Sequence, residues 1–163
     1  MNHAMLQRIV EEVAARLLRR ALSTATLSVA QLGEADIHSL LCQHASLRIV
    51  QVDLPLLEQL TGQRALTAAG CALHEAMAWG VRVQLTLLPT LLPVLAVKKL
   101  ARLPLTFSDP PGQPVRLHAA SVLTYADVAR LHGGYLVLRR RPIITALARE
   151  AAVARHVQLI TQE

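Results

Sequence analysis

The sequence predicts an α/β fold: a single Rossmann-like domain with a mixed, mostly parallel sheet flanked by helices and preceded by an N-terminal amphipathic helix. From residue 23 onward, short β-branched runs alternate with stretches of helical periodicity, as strands joined by crossover helices do. Several of those runs are continuously apolar, the pattern of strands covered on both faces. The 163 residues, 53% hydrophobic and 17% charged, suffice for one core and leave no room for a second full domain.

The first element is the clearest. Between Met5 and Leu22 the apolar residues Leu6, Ile9, Val10, Val13 and Leu17 recur at helical spacing, and Gln7, Arg8, Glu11, Glu12, Arg16, Arg19 and Arg20 occupy the remaining faces. Its acids precede its arginine-rich last turns, the order that suits the helix macrodipole. The pattern stops at Ser23 and Thr24, so residues 1–22 are expected to form the helix and residues 23–163 the compact body.

Strands are expected over Thr26–Ala30, Leu47–Asp53, Val81–Leu87, Leu105–Ser108, Val115–His118, Tyr135–Arg139 and Val157–Thr161. Helices are expected over Glu34–Gln43, Leu66–Trp79, Tyr125–Leu131 and Ile143–Arg155, with a further segment, Leu91–Arg102, interrupted by Pro93. Asp109-Pro110-Pro111-Gly112 carries the residues of a turn and should join the fourth and fifth strands as a hairpin. Thr124 reads as an N-cap and Gly133 as a C-cap for the helix between them, and Pro142 suits the first turn of the last helix.

Composition and motifs narrow the function. The only aromatic residues are Trp79, Phe107, Tyr125 and Tyr135, a poor platform for stacking nucleic-acid bases. The net charge of +6 permits acidic partners. Yet the basic residues are dispersed apart from Arg19–Arg20, Lys98–Lys99 and Arg139–Arg141, which read as solvated surface, and no nucleic-acid partner is expected. A basic nucleic-acid reading would rest on Lys98, Lys99 and Arg139 to Arg141 and predict steeply salt-dependent binding. The start of the chain carries Glu11 and Glu12 and no secretory signature. The longest apolar run, Val83 to Val97, is broken by Gln84, Pro89 and Pro93 and is too short to span a bilayer, so no membrane partner is expected.

The glycines form neither Gly-x-Gly-x-x-Gly nor Gly-Lys-Ser/Thr, which argues against a dinucleotide or P-loop site. Cys42 and Cys71 are expected as two free, buried thiols without a disulfide. His38, Cys42 and His44, with the Cys71/His74 pair, lack the spacing of a tetrahedral metal set. Ser121 near His118 and Cys71 near His74 lack a nucleophile elbow. No catalytic residue, metal or cofactor is therefore assigned, and a small-molecule ligand is not expected.

Seven stretches carry a family resemblance along the whole chain: LQRIVEEV at Leu6–Val13, TLSVAQL at Thr26–Leu32, CQHASLRI at Cys42–Ile49, VDLPLL at Val52–Leu57, GVRVQL at Gly80–Leu85, KLARLPL at Lys99–Leu105 and VQLITQE at Val157–Glu163. On these the sequence resembles the PduM family of the propanediol-utilisation bacterial microcompartment, a protein-shelled body enclosing coenzyme-B12-dependent diol breakdown. The resemblance implies a place and not a reaction: a structural component required for assembly or stability of the microcompartment in 1,2-propanediol degradation, located there within the cytoplasm and contacting shell proteins. The first helix is similar in pattern to the amphipathic segments that target enzymes into such bodies, which makes Leu6, Ile9, Val10, Val13 and Leu17 the expected partner-binding stripe. The competing reading is a flavin- or cobalamin-related ligand-binding or enzymatic accessory domain in the same compartment.

Overall fold

A computed structural model describes residues 2–162. Helix α1 (His3–Leu22) leads into β1 (Thr24–Ser28), α2 (Val29–Glu34), α3 (Ile37–Gln43) and β2 (Ser46–Val50). Helices α4 (Leu54–Leu60) and α5 (Ala68–Ala78) connect β2 to β3 (Arg82–Thr86). A 3-10 helix (Pro89–Val94) and the short α6 (Val97–Leu100) precede β4 (Leu105–Ser108) and β5 (Pro114–His118). There follow β6 (Val122–Leu123), α7 (Tyr125–Ala129), β7 (Tyr135–Leu138), β8 (Ile143–Ile144), α8 (Ala146–Ala154) and β9 (Gln158–Thr161).

The main sheet has seven strands in the order β1-β2-β3-β4-β5-β7-β9, and β6 and β8 form a small parallel pair of their own. Every neighbouring pair of the main sheet is parallel except β4 and β5, which the Asp109–Gly112 turn joins as the expected hairpin. Asp109 is buried in that turn, and its carboxylate accepts from the Gln113 N–H at 2.6 Å.

Strands β1 to β4 follow one another across the sheet in chain order. Right-handed crossovers then place all their helices on one face. The hairpin reverses the strand direction while the sheet keeps growing the same way, so the same handedness puts α7 and α8 on the opposite face. Two separate cores record this. Ala25, Leu47, Ile49, Val83, Leu85 and Phe107 of the strands pack with Leu32, Leu56 and Leu73 of the helices in the larger one. In β7, Val137 joins that core, whereas Leu136 and Leu138 point to a second core with Leu123, Val128, Ala148 and Ala152. Leu92, Leu95, Val97 and Leu100, from the 3-10 helix and α6, belong to the larger core together with Val137.

The expectation of strands covered on both faces therefore holds for β7, where Leu136, Val137 and Leu138 are all buried, and not for β1 to β3. Those three alternate buried and accessible positions along their length.

The local departures have physical reasons. The expected helix over Glu34–Gln43 is α3, which starts at Ile37, and α2 takes Val29 and Ala30 from the expected first strand because Ser28 caps it: its hydroxyl accepts from the Gln31 N–H and the Gln31 amide oxygen accepts from the Ser28 N–H. Helix α4 is additional; Pro55 lies in its first turn and Asp53 caps it by accepting from the Leu56 N–H at 3.0 Å. The last helix starts at Ala146 rather than Ile143, since Thr145 is its N-cap and Ile143–Ile144 pair with β6. Pro142 thus precedes β8 and is no part of the helix. Helix α7 ends at Ala129 with Arg130 as C-cap; Gly133 lies further on, at φ +60°, and donates its N–H to the Arg155 carbonyl.

Candidate functional site

Helix α1 is the most exposed element of the chain. None of its residues is buried, and the stripe residues Leu6, Ile9, Val10, Val13 and Leu17 retain 44% to 59% of their accessible surface. An amphipathic helix of a globular domain ordinarily turns such a stripe to its own core. Here the core is closed without it.

Only the root of the helix is tied down. The Ala45 N–H donates to the Arg20 carbonyl at 3.1 Å, the Arg20 Nε donates to the Leu41 carbonyl at 2.9 Å, and the Arg82 guanidinium reaches the Ala21 carbonyl at 3.4 Å. The Ser23 hydroxyl meets Nδ1 of His44. These contacts join α1 to β1, α3, β2 and β3 at its last turn and leave the preceding turns free of packing. Along the polar side, Glu12 accepts from Arg16 Nε at 2.8 Å, one turn away, and Arg19 stands 3.7 Å off. The hydrogen bond and charge of Arg16, with Arg19 adding to them, hold the Glu12 carboxyl below its usual range.

The second accessible surface is the face of β1 to β5 opposite the larger core, which the sequence reading did not single out. Thr26, Arg48, Gln84 and Thr106 stand in register across β1 to β4. Arg48 Nε donates to the Gln84 amide oxygen at 3.3 Å, and the Gln84 amide donates to the Ser108 hydroxyl at 3.0 Å. The period-2 alternation of SLRIV and RVQLT is the signal that would have found it.

At the carboxyl ends of these strands a crevice of about 670 Å³ is lined by Thr26, Arg48, Val50, Asp53, Thr86 and Asp109, among others. Its carboxylates are occupied structurally, Asp53 as the cap of α4 and Asp109 within the hairpin turn. No histidine lines it among the described residues.

The other residues weighed in the sequence are scattered. Cys42 and Cys71 are free but exposed, which corrects the expectation of buried thiols: each lies on the outer side of its helix, away from the core. His38 Nε2 stands 3.4 Å from Glu75 and its ring 5.7 Å from that of Trp79, while His44 faces the root of α1. His118 Nε2 lies 2.9 Å from the Val122 carbonyl. Among the described residues, no three of His, Cys, Asp and Glu come together to hold a metal ion. Two of the three basic clusters, in contrast, are brought together: Lys98, Lys99 and Arg139 to Arg141 line one basin.

Known proteins give the family of the chain. Residues 8–158 match the family described as putative propanediol utilisation. The chain is 60% identical over 163 residues to the bacterial microcompartment assembly protein PduM of Salmonella typhimurium (strain LT2), with all of both chains covered. The chain belongs to the PduM family. It is also 55% identical, again over the full length of both chains, to the PduM protein of Citrobacter freundii. The likeness to PduM thus runs through α1 as well as through the sheet. No solved structure matches the chain significantly.

Proposed function

We propose that the chain is a non-catalytic assembly component of the propanediol-utilisation microcompartment, resident in that body and bound to its shell proteins through α1. Its relatives carry the name of microcompartment assembly proteins. The observation that carries the docking role is the apolar stripe of α1, exposed along its length on a root fixed to the sheet. In this reading residues 1–22 are the tether and residues 23–163 the body that it anchors.

Magnitudes shape the proposal. The five stripe side chains already have about half of their surface covered, so burying the remainder contributes roughly 1 kcal/mol each. Association itself costs at least about 4 kcal/mol. One helix on one shell protein is therefore a weak contact, and a repetitive shell that engages many copies makes it firm through effective concentration.

Replacing Ile9 and Val13 together by Asp tests the tether. Both are exposed, so the body should stay folded, with a loss below about 0.5 kcal/mol per site. Co-purification of the variant with microcompartment shells should be lost. A folded double variant that still co-purifies in the wild-type amount contradicts the proposal.

A further inference from the structure

Lys98–Lys99 and Arg139–Arg141 are about forty residues apart in the sequence and converge in space. Strands β7 and β9 run opposite to β4, so the amino-terminal approach to β4 lies at the same end of the sheet as their carboxyl ends. Helix α6 brings Lys98 and Lys99 to that end, the segment after β7 brings the three arginines, and Gln162 follows β9. The result is a basin of about 580 Å³ with five cationic side chains in its lining and no Asp or Glu among its described lining residues.

Two features separate this basin from an ordinary solvated face. The Nε of Arg139 is buried and has no hydrogen-bond partner. A buried, unpaired guanidinium nitrogen costs several times what an exposed one does, unless an acceptor reaches it. In addition, among the described ion pairs none engages Lys98, Lys99, Arg139 or Arg141. Like charges held this close repel one another, and a bound polyanion relieves both penalties together.

We propose that this basin binds a diphosphate-bearing small molecule. Guanidinium forks match phosphate oxygens in a planar, two-bond geometry, and ammonium groups add point charge beside them. A diphosphate offers several anionic oxygens to Lys98, Lys99, Arg139 and Arg141 at once, where a single carboxylate offers two. The volume lies within the range of small-ligand sites, and the basin opens beyond the carboxyl ends of β7 and β9. The lining amide of Gln162 supplies a neutral donor and acceptor for orientation.

Calorimetric titration of the full chain with inorganic pyrophosphate at low salt tests the assignment. Saturable one-to-one binding is expected, weakened at least tenfold in Lys98→Glu/Lys99→Glu, whose sites are exposed and tolerate the change, and similarly in Arg139→Gln. ADP distinguishes the source of the diphosphate: tighter binding than pyrophosphate assigns the basin to a nucleotide and equal binding to the diphosphate group alone, and either outcome upholds the proposal. Failure of pyrophosphate to saturate at millimolar concentration overturns it. So does unchanged affinity in the folded Lys98→Glu/Lys99→Glu variant, or saturable binding of a DNA oligonucleotide where pyrophosphate shows none.

Discussion

At the scale of single residues, Gly134 and Asp127 show how local chemistry decides the fold around the second core. Gly134 has φ +77°, and a Cβ placed on it would lie 2.2 Å from the Pro114 carbonyl oxygen of β5. Left-handed strain and collision with a backbone atom add up, so Gly134→Ala should lose about 2–4 kcal/mol of unfolding free energy. Gly112, at φ +96° with open space around its missing Cβ, serves as the comparison. Its alanine variant carries the strain alone and should lose about half as much in the same denaturant titration.

Asp127 accepts from the Thr124 N–H at 2.8 Å and from its hydroxyl at 2.7 Å. Those bonds, aided by the charge of His118, hold its pKa below the ordinary 3.8. A carboxyl with a lowered folded pKa stabilises the fold above its unfolded value and loses that contribution as the pH falls through the folded one. Asp127→Ala should therefore be less stable than the wild type at neutral pH by a few tenths to about 1 kcal/mol. The two proteins should converge in thermal melts only in strong acid, and a gap unchanged down to the lowest pH measured would contradict the role of these bonds.

At the scale of elements, what was legible depended on whether capping or periodicity set the boundary. Strand β4 was read to the residue and the other main strands to within about three, because hydrophobic runs end where turns begin. Helix α1 was read to within two residues, since nothing competes with its periodicity. Where a cap decides, the sequence was harder to read. The β-branched Val29 looked like strand until the Ser28–Gln31 pair made it the first residue of α2. Helix α4 was not read at all, although Pro55 lies in its first turn, where a missing N–H goes unused. Ile143 and Ile144 fit a helical pattern, and their pairing with β6 rests on a partner some twenty residues away that no local window contains.

The apolar stripe stood out in the sequence for the same reason that α1 did. The basic residues of the basin were named in the sequence, but their convergence was not legible, because it depends on β7 and β9 running opposite to β4. That direction is visible only once the hairpin is seen as the point where the sheet changes sense.

At the scale of the whole molecule, the sheet is covered unequally. Strand β7 lies between two cores, while β1 to β4 carry helices on one face and a polar ladder on the other. The exposed, amphipathic α1 grows from the same half, rooted where β1, β2 and β3 begin. In the proposed role, the body is thus a platform with its tether held at one end.

The most direct measurement compares the full chain with a version lacking residues 1–22 in pull-downs on purified microcompartment shells, with circular dichroism confirming that both are folded. The account predicts that the full chain is retained and that the folded truncated body is not. Equal retention of the two would contradict it and move the shell contact from α1 to the α/β body.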